Sequence, residues 1–268
     1  MSQGLFVLDL DRCTGCAACV LACNNENPVA EDLSWREIFT FNETKLPLTT
    51  VFHYSLACNH CLTPSCLLNC PANAYAKNPE TGAVVILPER CIGCRYCSWV
   101  CPYGAPKYND DDRVMEKCTF CDHLQESGHD PACVAACPLE ALSIERNAKP
   151  PTIDRPGFPD TGLEPAVRLV TTRRQAAPLM TAAPEPLAAV PRKAQPTWNG
   201  LREEWSLWVF TSIATLLVAW FTAATVLGSS VVPLVFAGAG VAAMTISVLH
   251  LGKFTRIWRA ILNFRGSW

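Results

Sequence analysis

Hydrophobic and polar positions divide this chain into three regimes. Before position 138, apolar residues come in short stretches such as GLFVLDL (residues 4–10) and GAVVILP (82–88), punctuated by turn signals such as NPETG (78–82). Runs of that length and punctuation predict short strands. Short helices are expected after Cys16–Cys23 and after Cys94–Cys101. Residues 147–200 shift to proline and alanine, as in KPPTIDRPGFPDTG and AAPEPLAAVPRKAQP. No apolar period lasts there, so an irregular or extended linker is expected. From Trp205 to Gly252 there is no Asp, Glu, Lys or Arg at all.

As one helix that last run would be about 70 Å long, at 1.5 Å per residue. A hydrocarbon core is about 30 Å thick. The run therefore predicts a transmembrane hairpin in residues 201–268, with spans Trp205–Leu227 and Val231–Leu251 broken at GSSVVP (228–233). A buried hairpin of a soluble protein is the alternative. Trp198, Trp205 and Trp208 suit an interfacial belt where the first span enters the membrane. Arg202 precedes the hairpin, and Lys253, Arg256, Arg259 and Arg265 follow it, whereas its tip is uncharged. The positive-inside rule then places both ends, and the front of the chain, on the cytoplasmic side of the inner membrane. The periplasmic side stays open if the protein is exported on a partner's signal. Phe254, Ile257, Trp258, Ile261 and Leu262 share one helical face that Lys253, Arg256 and Arg259 largely avoid, the pattern of a helix lying in the bilayer surface.

Composition adds one decisive fact. Half of the 268 residues are hydrophobic and the formal net charge is −2, which excludes a basic footprint for nucleic acid. There are sixteen cysteines, every one before position 138. Disulfides belong to oxidising compartments. The opening MSQGLFVLDLDR carries no basic n-region, cleavable apolar core or twin arginine, and thiols two residues apart are poorly placed to pair.

Metal ligation is the better reading. The thiols form four motifs: Cys13, Cys16, Cys19, Cys23; Cys58, Cys61, Cys66, Cys70; Cys91, Cys94, Cys97, Cys101; and Cys118, Cys121, Cys133, Cys137. Zinc sites use two CxxC pairs a dozen or more residues apart, which only the fourth motif approaches. Cysteines at successive two-residue gaps instead wrap one face of a cubane. A fourth, followed by proline, ligates the other cluster of a pair. Proline follows Cys70, Cys101 and Cys137, whereas Asn24 follows Cys23. Sixteen thiolates at four each make four [4Fe–4S] clusters with none left over and no position left for a three-iron centre. Residues 1–146 are then expected to be an α+β domain of two ferredoxin-like modules, in which metal ligands largely replace an apolar core. No substrate pocket with acid, base or nucleophile is apparent, so no catalytic residue is assigned. Spacing shows that clusters come in pairs but not which motifs pair.

The strings DRCTGCAACVLAC, CNHC…PSC…CP, ERCIGCRYCSWVCPYGAPKYN and KCTFCDHL…PACVAACPLEAL, over roughly residues 4–146, resemble the four-cluster electron-transfer subunit of the dimethyl sulfoxide reductase family. The resemblance implies that the first and fourth motifs fold together, as do the second and third. One cluster then takes Cys13, Cys16, Cys19 and Cys137, and its partner takes Cys23, Cys118, Cys121 and Cys133. The third takes Cys58, Cys61, Cys66 and Cys101, and the last Cys70, Cys91, Cys94 and Cys97. It also implies a wire in that order from a separate molybdopterin catalytic subunit toward the membrane. EEWSLWVFT and LHLGKFTRIWRAILNFRGSW are similar to the opening of the polytopic quinol-interacting anchor subunit of that family. The chain thus looks like an electron-transfer subunit fused to the start of its anchor. That family's anchor has further spans, so the rest is expected as a separate polypeptide or as sequence beyond Trp268.

The function expected is a non-catalytic relay of single electrons between the catalytic subunit and the quinone pool. A relay subunit of a hydrogenase or formate dehydrogenase and a membrane-tethered polyferredoxin are the rivals. Those relays usually have one terminal span, against the two expected here. His250, at the expected membrane boundary, either contacts a quinone or is satisfied by a neighbouring helix. His60 is expected as a residue behind the ligands or at the surface. Arg12, Arg95 and Lys117 adjoin ligands and either raise cluster potentials or are solvated surface charges. Tyr96 and Trp99 are expected to pack inside. GFPDTGLEPAVRLV (157–170) is expected to be ordered by a partner, and the rest of the linker to be a spacer.

Overall fold

A computed structural model describes residues 3–42, 51–151, 161–171, 205–228 and 232–263. The cysteine-rich part is built around strand β1 (Leu5–Asp9), the element expected from GLFVLDL. Phe6 and Leu8 are buried on one face and Leu5 on the other, so both faces of the strand are covered at its start. On one side β1 pairs antiparallel with β8 (Leu142–Glu145), with Leu8 opposite Leu142. On the other it pairs parallel with β9 (Val167–Val170), with Phe6 opposite Val167. Among the described residues the remaining strands form three antiparallel pairs: β2 (Glu37–Phe41) with β3 (Phe52–Leu56), β4 (Tyr75–Lys77) with β5 (Val84–Ile86), and β6 (Lys107–Asn109) with β7 (Val114–Glu116).

Strand β9 lies in the stretch expected to dock on a partner. Instead the chain's own edge orders it, because β1 offers an unpaired row of amides on that side. Ala166 N–H donates to Asn59 O (2.8 Å) and Leu62 N–H to Glu164 O (2.9 Å), which extends the attachment past the sheet. The rest of the linker (172–204) lies outside the described residues.

Short helices run within the cysteine motifs and not after them as expected: α1 (Ala18–Glu26) carries Cys19 and Cys23, α2 (Ser65–Leu68) carries Cys66, α3 (Tyr96–Val100) carries Cys97 and α5 (Ala132–Ala135) carries Cys133, while α4 (Asp122–Glu126) starts just past Cys121. The apolar interior between them is thin. One cluster gathers Phe6, Leu8, Tyr54 and Phe120 with Cys19 and Cys133. A second joins Trp35 and Ala105 to Cys23, Cys58 and Cys118, and a third joins Val114 and Met115 to Cys91 and Cys97. Cysteines occupy every one of these cores, so what the sulfurs hold also decides what holds the domain together.

Helix α6 (Trp205–Leu227) has the bounds expected of the first span and is long and apolar enough to cross a membrane. Thr211 and Thr215 turn their hydroxyls back onto the carbonyls of Leu207 and Thr211, at 2.7 and 2.8 Å. Helix α7 (Pro233–Ser247) is shorter than the second span expected over 231–251. Pro233 sets its start, since proline is tolerated at the first helical position and not before an existing turn. After Ser247 the chain tightens into a 3₁₀ turn, Val248–His250. The fifteen residues of α7 reach about 22 Å, short of a bilayer core. Trp220 and Phe221 of α6 pack on Phe236 of α7, with ring centroids 6.2 and 6.1 Å apart. A further 3₁₀ turn (Phe254–Arg256) leads into α8 (Trp258–Leu262). Phe254, Trp258, Ile261 and Leu262 are exposed along it.

Candidate iron–sulfur sites

The fold brings thiols from different motifs near one another. Cys13 lies in the electrostatic field of Cys19, Cys137 and Cys16. Cys23 lies in that of Cys133 and Cys121, and Cys118 in that of Cys133 and Cys23. Cys61 neighbours Cys58, Cys101 and Cys66. Cys94 neighbours Cys70 and Cys91, and Cys97 neighbours Cys94 and Cys91. The first to fourth groups are the sets that the resemblance implies. Influence also passes between neighbouring sets: Cys19 raises the thiol pKa of Cys23 and of Cys133, Cys58 that of Cys118, and Cys66 that of Cys97. The first group lines one cleft, together with Ser55 and Ile38. The third lines another, together with His60 and Lys117. Thiols arranged around a shared space suit a polynuclear cluster.

Backbone geometry repeats at each motif. The third residue of every leading CxxC adopts a left-handed conformation: Gly15 (φ 71°), His60 (φ 43°), Gly93 (φ 68°) and Phe120 (φ 66°). That twist turns the residue's N–H back toward the first sulfur. His60, Gly93 and Phe120 donate to Cys58, Cys91 and Cys118 Sγ at 3.5, 3.4 and 3.4 Å, and Gly15 N–H bonds Cys13. Successive amides aimed at one point form an anion-binding nest, the arrangement that carries iron–sulfur sites. A left-handed His or Phe costs about 1–3 kcal/mol. Here the two rings stack on each other with centroids 4.6 Å apart, and both are fully buried. His60 is therefore not at the surface. Its Nδ1 accepts from Val84 N–H (3.0 Å), and burial together with the charges of Lys117 and Arg36 holds its pKa well below the ordinary value.

The donor chemistry fits a cluster. Burial pushes the Cys23 and Cys66 thiols up to about 12 and Cys94 to about 11, so without a metal these sulfurs keep their protons. A coordinating metal removes them. Two interior cations await the resulting charge. Lys117 is 2% exposed, and Arg36, which stands just before β2, is 1% exposed. Burial alone would lower both pKa values. The surrounding sulfurs instead raise them: Cys133, Cys118, Cys19 and Cys23 for Arg36, and Cys58, Cys66 and Cys118 for Lys117. Arg36 Nε and Nη2 meet no oxygen or nitrogen acceptor, and the guanidinium faces the Cys133 sulfur instead. Buried N–H donors left this way face a cost of about 1–3 kcal/mol each unless an anion receives them.

Of the charged residues flagged by sequence, Lys117 is thus interior. Arg12 is half exposed in a 3.4 Å ion pair with Glu140, and Arg95 lies 3.9 Å over the Tyr108 ring. Trp99 and Tyr96, expected to pack inside, are 64% and 41% exposed on α3. On so short a helix only the face carrying Cys97 turns inward. Sequence reasoning missed Arg36, Tyr75 and Asn27. Asn27 donates to Cys23 O (2.9 Å) and, more weakly, toward the sulfurs of Cys23 and Cys121. The buried Tyr75 hydroxyl sits among Cys97, Cys66 and Cys58, and burial pushes its pKa far up.

The fourth group meets the chain's apolar end. Lys253 N–H donates to Ile92 O (3.0 Å). Arg256 Nη1 donates to Pro88 O (2.6 Å) and Cys91 O (3.0 Å). Asn263 Nδ2 donates to Pro71 O (2.9 Å) and to Cys70 O (3.5 Å). The segment after α7 is therefore fastened to loops that present Cys70 and Cys91. His250 falls in the 3₁₀ turn just before it, and only its backbone is described.

A protein with nested thiol groups, interior cations and little other core is an iron–sulfur carrier, and residues 49–147 match the 4Fe–4S dicluster domain family. The B component of anaerobic dimethyl sulfoxide reductase from Escherichia coli (strain K12) is 41% identical over 147 residues, which is 52% of this chain and 71% of the relative. The B component of sulfite dehydrogenase from Allochromatium vinosum is 36% identical over 53% of this chain and 68% of its own length. The iron–sulfur cluster-binding subunit of menaquinone reductase from Nitratidesulfovibrio vulgaris is 35% identical over 51% and 72%. The chain belongs to the family of iron–sulfur subunits of dimethyl sulfoxide reductases.

Proposed function

We propose that the four thiol groups hold four [4Fe–4S] clusters and pass single electrons between a molybdopterin catalytic subunit and the quinone pool. The observation that supports this reading is that cysteines of successive sets influence one another: Cys19 acts on Cys23 and Cys133, Cys58 on Cys118, and Cys66 on Cys97. The clusters, when bound, supply the redox chemistry. The chain's residues space them, donate N–H groups to their sulfurs and exclude water. At the head of the row Cys16 is exposed, near exposed Leu21 and Leu139, an opening suited to the catalytic partner. At its tail Arg256 and Asn263 tie the last group to the apolar helices. The relatives' names point the same way: a dimethyl sulfoxide reductase, a sulfite dehydrogenase and a menaquinone reductase.

In this reading α6 and α7 are a fused portion of the anchor, completed by further helices in a separate subunit or in sequence beyond Trp268, and His250 stands near the quinone. The basic residues Lys253, Arg256 and Arg259 support the cytoplasmic face for the cluster domain, the periplasmic face being the alternative if the protein is exported with a partner. The test is anaerobic purification from membranes followed by addition of a menaquinol analogue. Copurifying molybdenum and partial bleaching of the iron–sulfur absorbance are expected. A nickel enzyme as partner, or no reduction by quinol, would overturn the assignment.

A further inference from the structure

We infer that Lys117 and Arg36 are fixed interior charges, each placed at the junction of two successive clusters and each setting the potentials of the clusters on both sides. The inference rests on the four-cluster reading. Lys117 immediately precedes Cys118 of the second group, and its side chain lines the cavity of the third with Cys58, Cys61, Cys66 and Cys101. Its Nζ is held by the carbonyls of Val84 and Cys118. Arg36 Nη1 donates to Ser55 O and Ser55 Oγ, both at 3.1 Å. The same Ser55 hydroxyl lies 3.2 Å from Cys19 Sγ of the first group. The guanidinium is 4.8 Å from the Phe6 ring centroid, and its Nε and Nη2, with no oxygen or nitrogen acceptor, face the Cys133 sulfur. The strongest attractions on both cations come from cysteine sulfurs and not from carboxylates.

The third junction differs. Between the third and fourth groups stands Tyr75, whose buried hydroxyl is uncharged. Reduction adds one negative charge to a cluster, so a nearby buried cation favours the reduced form, and net charge and hydrogen bonds to sulfur are what tune such clusters. Water does not screen either cation. A charge at a junction acts on two clusters at once, whereas a residue that merely packs acts on neither selectively.

The experiment is redox potentiometry followed by electron paramagnetic resonance on the whole protein with its iron in place. Lys117→Gln should shift the one-electron equilibria of the second and third clusters at least tenfold toward oxidation, about 59 mV each. The fourth cluster should stay within threefold of wild type. Arg36→Gln should move the second cluster in the same sense and the first less. Lys117→Arg and Arg36→Lys should restore the potentials to within threefold. Four cluster signals that do not move, or that move together, would overturn the inference while leaving the four-cluster reading intact. Absent cubane signals in the wild type would defeat that reading itself. If the neutral variants fail to hold iron while the charge-keeping ones hold it, the requirement for charge stands. If the charge-keeping variants fail as well, the residues serve packing and the inference falls.

Discussion

Gly93→Ala separates two costs that usually come together. Gly93 sits at φ +68°, and a Cβ there would lie 2.5 Å from Arg113 O and 2.9 Å from Gly252 Cα. Gly128 has nearly the same twist, φ +79°, with nothing within 4 Å of the Cβ position. Alanine at Gly128 should therefore cost only the left-handed backbone penalty, about 1–2 kcal/mol. Alanine at Gly93 adds a clash between backbones, and overpacking of this kind costs about 1–3 kcal/mol more. Flexible side chains cannot absorb it, because the opposing atoms belong to the β6–β7 turn and to the segment after α7. The strain falls on the joint that carries the Lys253 N–H to Ile92 O bond. Hydrogen exchange at the Lys253 amide is the assay. With about 2 kcal/mol removed from the joint, exchange should quicken about 30-fold in Gly93→Ala, at 1.4 kcal/mol per tenfold. It should be unchanged in Gly128→Ala. The iron signal of the fourth group should also broaden, since Gly93 N–H points at Cys91 Sγ. Equal exchange in the two variants would refute the contact between the apolar end and the fourth group.

Three other outcomes follow from the same geometry. Arg256→Ala removes two hydrogen bonds to carbonyls beside the fourth group, and should weaken the joint by about 1–2 kcal/mol without loss of iron; limited proteolysis at Lys253 should quicken, and unchanged cleavage would count against the docking. Burial raises Cys94, Cys23 and Cys66 from 9.0 to about 11 or 12. Their protons must leave on ligation, so reconstitution of iron-free protein should improve as pH rises from about 7 to 9 and worsen as it falls. Any stability the iron-free fold has should decline as pH climbs through 9 toward those raised values, because the unfolded thiols ionise first. Circular dichroism of the two forms checks both signs, and a reversed trend in either would exclude burial as the cause. Trp99→Ser, at a 64% exposed position, should change the stability of the isolated protein by no more than about 0.5 kcal/mol; a large loss of melting temperature would show that the side chain packs after all.

The cluster motifs were legible because ligand spacing is local: a CxxC fixes where two sulfurs point without help from the rest of the chain. The bounds of α6 were legible for a similar reason, since a long uncharged run needs no tertiary context. The positions of Arg36 and Lys117 were not. In SWREIF nothing distinguishes Arg36 from a solvated charge, and the sulfurs that surround it come from Cys19, Cys23, Cys118 and Cys133. Lys117 was flagged through its neighbour Cys118, yet its burial depends on Val84 and Cys58, which lie elsewhere in the chain. His60 and Phe120 hid in plain view. Each occupies the position that Gly15 and Gly93 hold in the other two motifs, so aligning CTGC, CNHC, CIGC and CTFC reveals the common left-handed site. Their stacking could not be foreseen, because it depends on two motifs about sixty residues apart meeting in space. Strand β9 was missed because a Pro-rich flank suppresses every local strand signal, and only the free edge of β1 makes the pairing favourable. Trp99 was misplaced by the habit of burying aromatics.

In the proposed reading, the chain's architecture depends on thiolates gathered in fours around polynuclear iron. Iron and acid-labile sulfide per polypeptide, measured beside a spin count of the dithionite-reduced protein, address that directly. About sixteen of each and about four reduced-cubane spins per chain are expected. Tightly held zinc, or eight irons with half the thiols free to alkylate, would contradict it.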